Sequence, residues 1–217
     1  MNILIIAGEI SGDLYASYLA KEIKNTQQST LYCVGGEKLK ESCDHFIFSS
    51  THNHGVGIEG KFTKQRYKKE LLSTIQKLLV NTTINKVIIV DFQHYNEKIA
   101  NIIPKSIQIY TFITPNFWMW KSKKHARKIT AYSTKIFTIF NQEFEFYKTL
   151  SNNIYYFGHP LTEITNTTSQ KPNSKIPQIT LFPGSRPQEF KLYFQTMLET
   201  MDLLQKNNSK FNLVICV

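Results

Sequence analysis

The sequence lacks long apolar runs. No window approaches the ~18 consecutive apolar residues that a membrane-spanning helix needs, so a transmembrane segment is not expected. The first apolar stretch, Ile3 to Ala7, has no basic segment before it. At about five residues it is shorter than the apolar core of a secretory signal and reads as a first buried strand. Cysteine is scarce: Cys33, Cys43 and Cys216 are odd in number and share no metal-ligand spacing. A disulfide framework is therefore disfavoured, and reduced thiols in a cytoplasmic protein are expected. The chain also lacks the dinucleotide G-x-G-x-x-G pattern and a Walker lysine. His52-Asn53-His54-Gly55 has no third ligand nearby in sequence and reads as a polar loop. Neither metal nor cofactor is expected.

Acidic residues are in deficit, 16 against 26 basic, for a formal charge of +10. This balance favours anionic partners: nucleic acid, phosphorylated metabolites or an anionic membrane surface. No recognisable nucleic-acid module is present, which makes nucleic acid the weakest of the three.

Hydrophobic residues at 41% and charged residues at 19% allow a packed core. The 217 residues fit one large domain, or one domain plus a piece of another. Strand patterns fall at 2–7, 30–34, 86–91, 107–113, 135–140, 154–157, 178–182 and 211–217. Several are continuously apolar, as in strands covered on both faces. Helical patterns lie near 12–25, 62–80, 121–131, 141–149 and 187–206. The alternation predicts an α/β fold with right-handed crossovers and a doubly wound, mostly parallel sheet. Residues 162–178, rich in Thr, Asn and Ser with two prolines, read as a linker between a domain at 1–161 and a second at 179–217. A doubly wound domain usually needs at least ~100 residues, so the second is expected to be incomplete.

Four segments carry candidate chemistry. Gly8-Glu9-Ile10-Ser11-Gly12-Asp13 follows the first strand and precedes a helix. Small residues there let backbone N–H groups approach an anion, aided by the helix dipole. The plain alternative is a tight turn with Ser11 or Asp13 as helix cap. Asp91 closes the strand Lys86–Asp91, at the end that faces the ligand crevice of a parallel sheet. It suits a general base, or else a cap for the next helix; Asn96 orients a substrate or serves the turn. In Phe182-Pro183-Gly184-Ser185-Arg186-Pro187, Arg186 beside a helix N-terminus suits phosphate binding, or is a surface arginine. Finally, Thr114–Trp120 is followed by Lys121, Lys123, Lys124, His125, Arg127 and Lys128. Aromatics beside a basic cluster suit base stacking, interfacial insertion beside anionic lipid, or simple loop packing. Helix 62–80 adds a basic amphipathic pattern, its stripe Tyr67, Leu71, Ile75 and Leu78 suited to packing on the sheet. His159 in Gly158-His159-Pro160 ends a strand and has a functional or a structural reading.

In order and spacing, Ala7–Asp13 (AGEISGD), Val34-Gly35-Gly36, Asp91–Asn96 (DFQHYN), Thr114–Trp120 (TPNFWMW), Phe157–Leu161 (FGHPL) and Leu181–Glu189 (LFPGSRPQE) resemble the lipid-A-disaccharide synthase family, inverting glycosyltransferases of the GT-B type. The resemblance implies transfer from UDP-2,3-diacylglucosamine to 2,3-diacylglucosamine 1-phosphate (lipid X), giving a β-1,6-linked disaccharide phosphate and UDP. It implies a peripheral protein on the cytoplasmic face of the inner membrane, and a homodimer. By the same resemblance Asp91 is the base, Gly8, Glu9, Ser11, Gly12 and Asp13 form the active-site loop with Asn96, and Ser185 and Arg186 lie near the UDP diphosphate. The chain departs from the family's D-x-P-D-F-N at Gln93 and His94, has Lys121 where arginine is usual, and is more polar over residues 51–62. Most of the family's second domain is missing, so a truncated product or a completing partner chain is expected. A reading from another class is a noncatalytic remnant that binds anionic lipid through 61–69 and 114–128.

Overall fold

A computed structural model describes residues 1–50, 58–92, 95–165, 176–184, 187–207 and 210–216. Seven strands form one wholly parallel sheet: β1 (Asn2–Ala7), β2 (Thr30–Gly35), β3 (His45–Ser49), β4 (Lys86–Val90), β5 (Gln108–Phe112), β6 (Lys135–Thr138) and β7 (Ile154–Tyr156). Their order is β3-β2-β1-β4-β5-β6-β7. The chain leaves β1 in one direction, then returns past it to β4 and continues in the other. The topological switch therefore lies between β1 and β4. The fold is the expected doubly wound α/β architecture.

Alternation along β1 divides the core. Leu4 and Ile6 face α3 (Ile58–Asn81), whose Tyr67, Leu71 and Ile75 are buried against them, and α4 (Asn96–Ala100) through Ile99. Ile3, Ile5 and Ala7 face α1 (Ile10–Thr26), through Tyr15, Ala16 and Ala20, and α2 (Glu37–Lys40), through Leu39. A third cluster joins α5 (Lys123–Tyr132), β6, α6 (Asn141–Lys148) and β7 around Ala126, Ile136 and Tyr147. The stripe expected of 62–80 is thus a packing face.

Two elements depart from expectation. The edge strand β3 was not foreseen: its five residues are at most half-buried, which leaves a weak apolar signal. Helix α1 starts at Ile10, inside the segment read as a turn, with Glu9 as its N-cap residue.

The chain divides into two compact units, Met1–Asn166 and Thr167–Val217. The first ends in the short α7 (Leu161–Ile164). The second holds β8 (Gln178–Leu181) and β9 (Asn212–Ile215), paired in parallel, with α8 (Pro187–Lys206) between them. Helix α8 starts at Pro187, where a missing N–H costs nothing.

Candidate active site

Asp91 follows directly on β4, at the carboxyl end of a strand flanking the switch point. Its amide still donates to Phe112 O of β5 at 3.2 Å, so the sheet ladder holds it. Its φ of 41° is left-handed, a conformation that Asp tolerates better than most residues. Ile113, after β5, has a φ of 64°, which is strained for a β-branched residue. Strain collects on the loops at this edge of the sheet.

The first turn of α1 rests on this loop. Ser11 Oγ donates to Asp91 Oδ2 at 3.2 Å. A Cβ on Gly12 would lie 3.1 Å from Asp91 Cβ and 3.2 Å from Val90 O. A Cβ on Gly8 would fall 1.9 Å from a ring carbon of Phe92. Glycine at both positions is what allows the β1–α1 and β4–α4 loops to touch. Burial raises the proton affinity of the Asp91 carboxyl above its ordinary value; the charges of Glu9 and Glu143 add to this, and the Ser11 hydrogen bond opposes it. Such a carboxylate is a stronger base than one in water, and Ser11 orients it. Burial, and then the charge of Asp91, likewise raises the Tyr15 phenol.

Gly8, Glu9, Ser11, Gly12 and Asp91 are therefore brought together. Asp13 has a different placement. It is 4% exposed, and its carboxylate accepts from the amides of Gly36 at 2.6 Å, Lys38 at 3.1 Å and Leu39 at 3.2 Å. Those bonds cap α2 and give Asp13 a structural role, where a substrate-binding one was expected. Asn96 is buried at the start of α4, its amide N–H donating to Phe92 O at 3.1 Å. Ser185, Arg186, Gln93, His94 and the polar loop 51–57 lie outside the described residues. Beside them, Gly184 has a φ of 114°, and a Cβ there would lie 2.4 Å from Glu189 Cβ, so this turn before α8 requires glycine.

Glu143 was not singled out in the sequence. It is 1% exposed and accepts from the Thr114 amide and hydroxyl and from the amides of Ile139 and Phe140. It ties the loop after β5 to the loop after β6. Only its position three residues after Phe140, at the start of a helix, hints at such a capping role. Burial raises its proton affinity, against the pull of its donors.

In the aromatic and basic segment, Met119 and Trp120 are 59% and 70% exposed, and Lys121, Lys123, Lys124 and Arg127 are exposed beside them. His159 is half-buried, its Nδ1 accepting from the Leu161 amide at 3.2 Å and its ring edge-on to Tyr15. Among the described residues no helix is long and apolar enough to cross a membrane.

The family model for lipid-A-disaccharide synthetase matches residues 3–217. The chain belongs to the lipid-A-disaccharide synthetase family. Lipid-A-disaccharide synthase of Coxiella burnetii is 26% identical over 216 residues, 94% of this chain and 57% of that protein. Lipid-A-disaccharide synthase 1 of Legionella pneumophila is 26% identical over 226 residues, 99% and 58% respectively. The Geobacter metallireducens enzyme is 23% identical over 216 residues, 94% and 56%. This family member thus spans about 57% of the length of the curated relatives it matches. Among solved structures it is similar to the E. coli heptosyltransferase WaaC with ADP-2-deoxy-2-fluoro heptose: 12% identity, TM-score 0.36, covering 98% of this chain and 68% of that one. That likeness is too distant to carry a functional argument.

Proposed function

We propose that this synthetase-family chain forms the acceptor side of a glycosyl transfer from UDP-2,3-diacylglucosamine to 2,3-diacylglucosamine 1-phosphate. Asp91 takes the proton of the acceptor's 6-hydroxyl as that oxygen attacks the donor's anomeric carbon. The new C–O bond forms as the bond to the diphosphate breaks, and UDP leaves with the electron pair, so the configuration inverts. Ser11 holds the carboxylate; Gly8, Glu9 and Gly12 shape the loop beside it. Ser185 and Arg186, ahead of α8, are assigned to the departing diphosphate, where a guanidinium and a helix N-terminus stabilise negative charge. No metal or cofactor takes part. The domain limits that go with this reading are 1–161 and 179–217, joined by a linker at 162–178.

The observation that carries this reading is the contact between two loops across the switch point, which gives a carboxylate of raised basicity an orienting hydroxyl. The exposed Trp120 with its lysines fits work on phosphorylated lipids at the cytoplasmic face of the inner membrane, the protein being peripheral and homodimeric.

The test is a transfer assay with both lipid substrates, comparing the chain with Asp91→Asn. The expected loss is ~10² to 10⁴-fold, the range for a general base. Turnover that survives the substitution removes Asp91 from this role.

A further inference from the structure

Helix α1 carries a second polar group toward Asp91. Ser11, which donates to Asp91 Oδ2, is followed four residues later by Tyr15. Residues at i and i+4 share a helix face, and helical side chains lean toward the N-terminus, so the Tyr15 ring reaches back below Ser11. It lies in one buried cluster with Val90, Ile113 and Ile139, which end or follow β4, β5 and β6. These carboxyl strand ends border the crevice where ligands of a parallel sheet bind. The His159 ring meets Tyr15 edge-on, with centroids 5.9 Å apart and planes at 83°. A ring held by the core and by His159 has its hydroxyl aimed in advance.

That hydroxyl has no protein partner among the described residues. The unbonded hydroxyl of Tyr132 is sealed in the interior; that of Tyr15 is not, so the 7% of this residue left exposed includes its polar end. Burial and the charge of Asp91 keep the phenol protonated through the neutral range, able to donate and to accept. The surroundings select what it meets. The charges of Glu9 and Glu143 both reach Asp91, so three carboxylates oppose an anion here. A neutral hydroxyl oxygen meets no such repulsion.

We propose that Tyr15 orients the substrate: its hydroxyl hydrogen-bonds a neutral oxygen of the acceptor sugar, beside the hydroxyl that Asp91 deprotonates. The identity of that sugar rests on the transfer reading. An acceptor held at two points, by Asp91 at the reacting hydroxyl and by Tyr15 at a neighbouring oxygen, cannot swing about the first contact. Fixing that angle is what alignment of the attacking oxygen requires.

The test compares the chain with Tyr15→Phe, which deletes one oxygen and keeps the ring. Tm is expected to be unchanged, because the hydroxyl has no protein partner to lose. The KM for 2,3-diacylglucosamine 1-phosphate is expected to rise about three- to tenfold, the range of one hydrogen bond, with the donor KM unmoved. In the parent labelled with ¹³Cζ-tyrosine, the Tyr15 resonance is identified by its loss in Tyr15→Phe. It is expected to shift with the acceptor and to stay in place with inorganic phosphate. An unchanged acceptor KM overturns the proposal. So does a shift with phosphate, which makes the hydroxyl part of an anion site, and so does a fall in Tm with both KM values raised together, which makes Tyr15 structural. A parent without transfer whose Tyr15 resonance still shifts with the acceptor overturns the transfer reading alone. Transfer lost in Asp91→Asn, with the acceptor KM unaltered in Tyr15→Phe, overturns the role of Tyr15 alone.

Discussion

Asp91 combines a left-handed backbone, burial and two like-charged neighbours, each of which costs stability. Asparagine accepts the same φ and can still take the Ser11 hydrogen bond, but carries no charge. Asp91→Asn is therefore expected to raise Tm at neutral pH while transfer falls. The pH dependence has a definite sign. The folded-state proton affinity of Asp91 is raised, so its contribution to stability is full below the ordinary carboxylate range and is lost as pH rises through the folded value. The stability gap between variant and parent should thus widen from pH 4 upward, as urea midpoints across that range would show. A gap that narrows would mean the charge is paired in the fold. Ser11→Ala removes the one contact that lowers this proton affinity, so the acid limb of the transfer rate should move to higher pH. At this scale the sequence placed Gly8, Ser11, Gly12 and Asp91 at the carboxyl ends of neighbouring strands, and the structure brings those two loops into contact. The roles of Asp13 and Glu143 were not legible there. The partners of Asp13, in Gly36 to Leu39, and the Thr114 partner of Glu143 lie more than twenty residues away along the chain, and only the Ile139 and Phe140 amides on Glu143 follow a local spacing.

Helix α2 shows how one such residue holds an element. It has four residues, too few to stand alone, and its N-terminal amides converge on the Asp13 carboxylate from α1. Gly35 makes room for this: a Cβ there would lie 2.9 Å from Asp13 Oδ1. Asp13→Ala strands buried N–H groups and should cost about 2–4 kcal/mol in urea denaturation, with Asp13→Asn costing less because it keeps one acceptor. A cost below about 0.5 kcal/mol, the range of ordinary surface changes, would mean that water replaces the carboxylate. The same physics decided which elements the sequence disclosed. Strands β1, β4 and β5 are apolar on both faces and stood out; β3 is half-buried at an edge, and α2 and α4 are too short to show a helical period. The early start of α1 was hidden because Ser11, Gly12 and Asp13 read as a turn, whereas Gly12 is helical and lies against Asp91.

Across the whole molecule, stability is unevenly spread between the two units. In the first, β1 is buried from Ile3 to Ala7 and flanked by strands on both sides, with helices over both faces. In the second, β9 pairs among the described residues only with β8, and all four of its residues are exposed, Leu213, Val214 and Ile215 at 38 to 39%. Parallel strands are ordinarily covered on both faces, and two strands alone are marginal in water. Local opening should therefore cost little at β8–β9 and approach the global unfolding energy at β1 and β4. Hydrogen exchange resolved by peptide is expected to show amides of 212–215 exchanging orders of magnitude faster than those of 3–7 and 86–90. Equal protection in the two regions would mean that β9 is covered in solution. Repeating the exchange at tenfold lower protein concentration would then identify the cover: protection that fades on dilution comes from a second copy, and protection that persists comes from the chain itself.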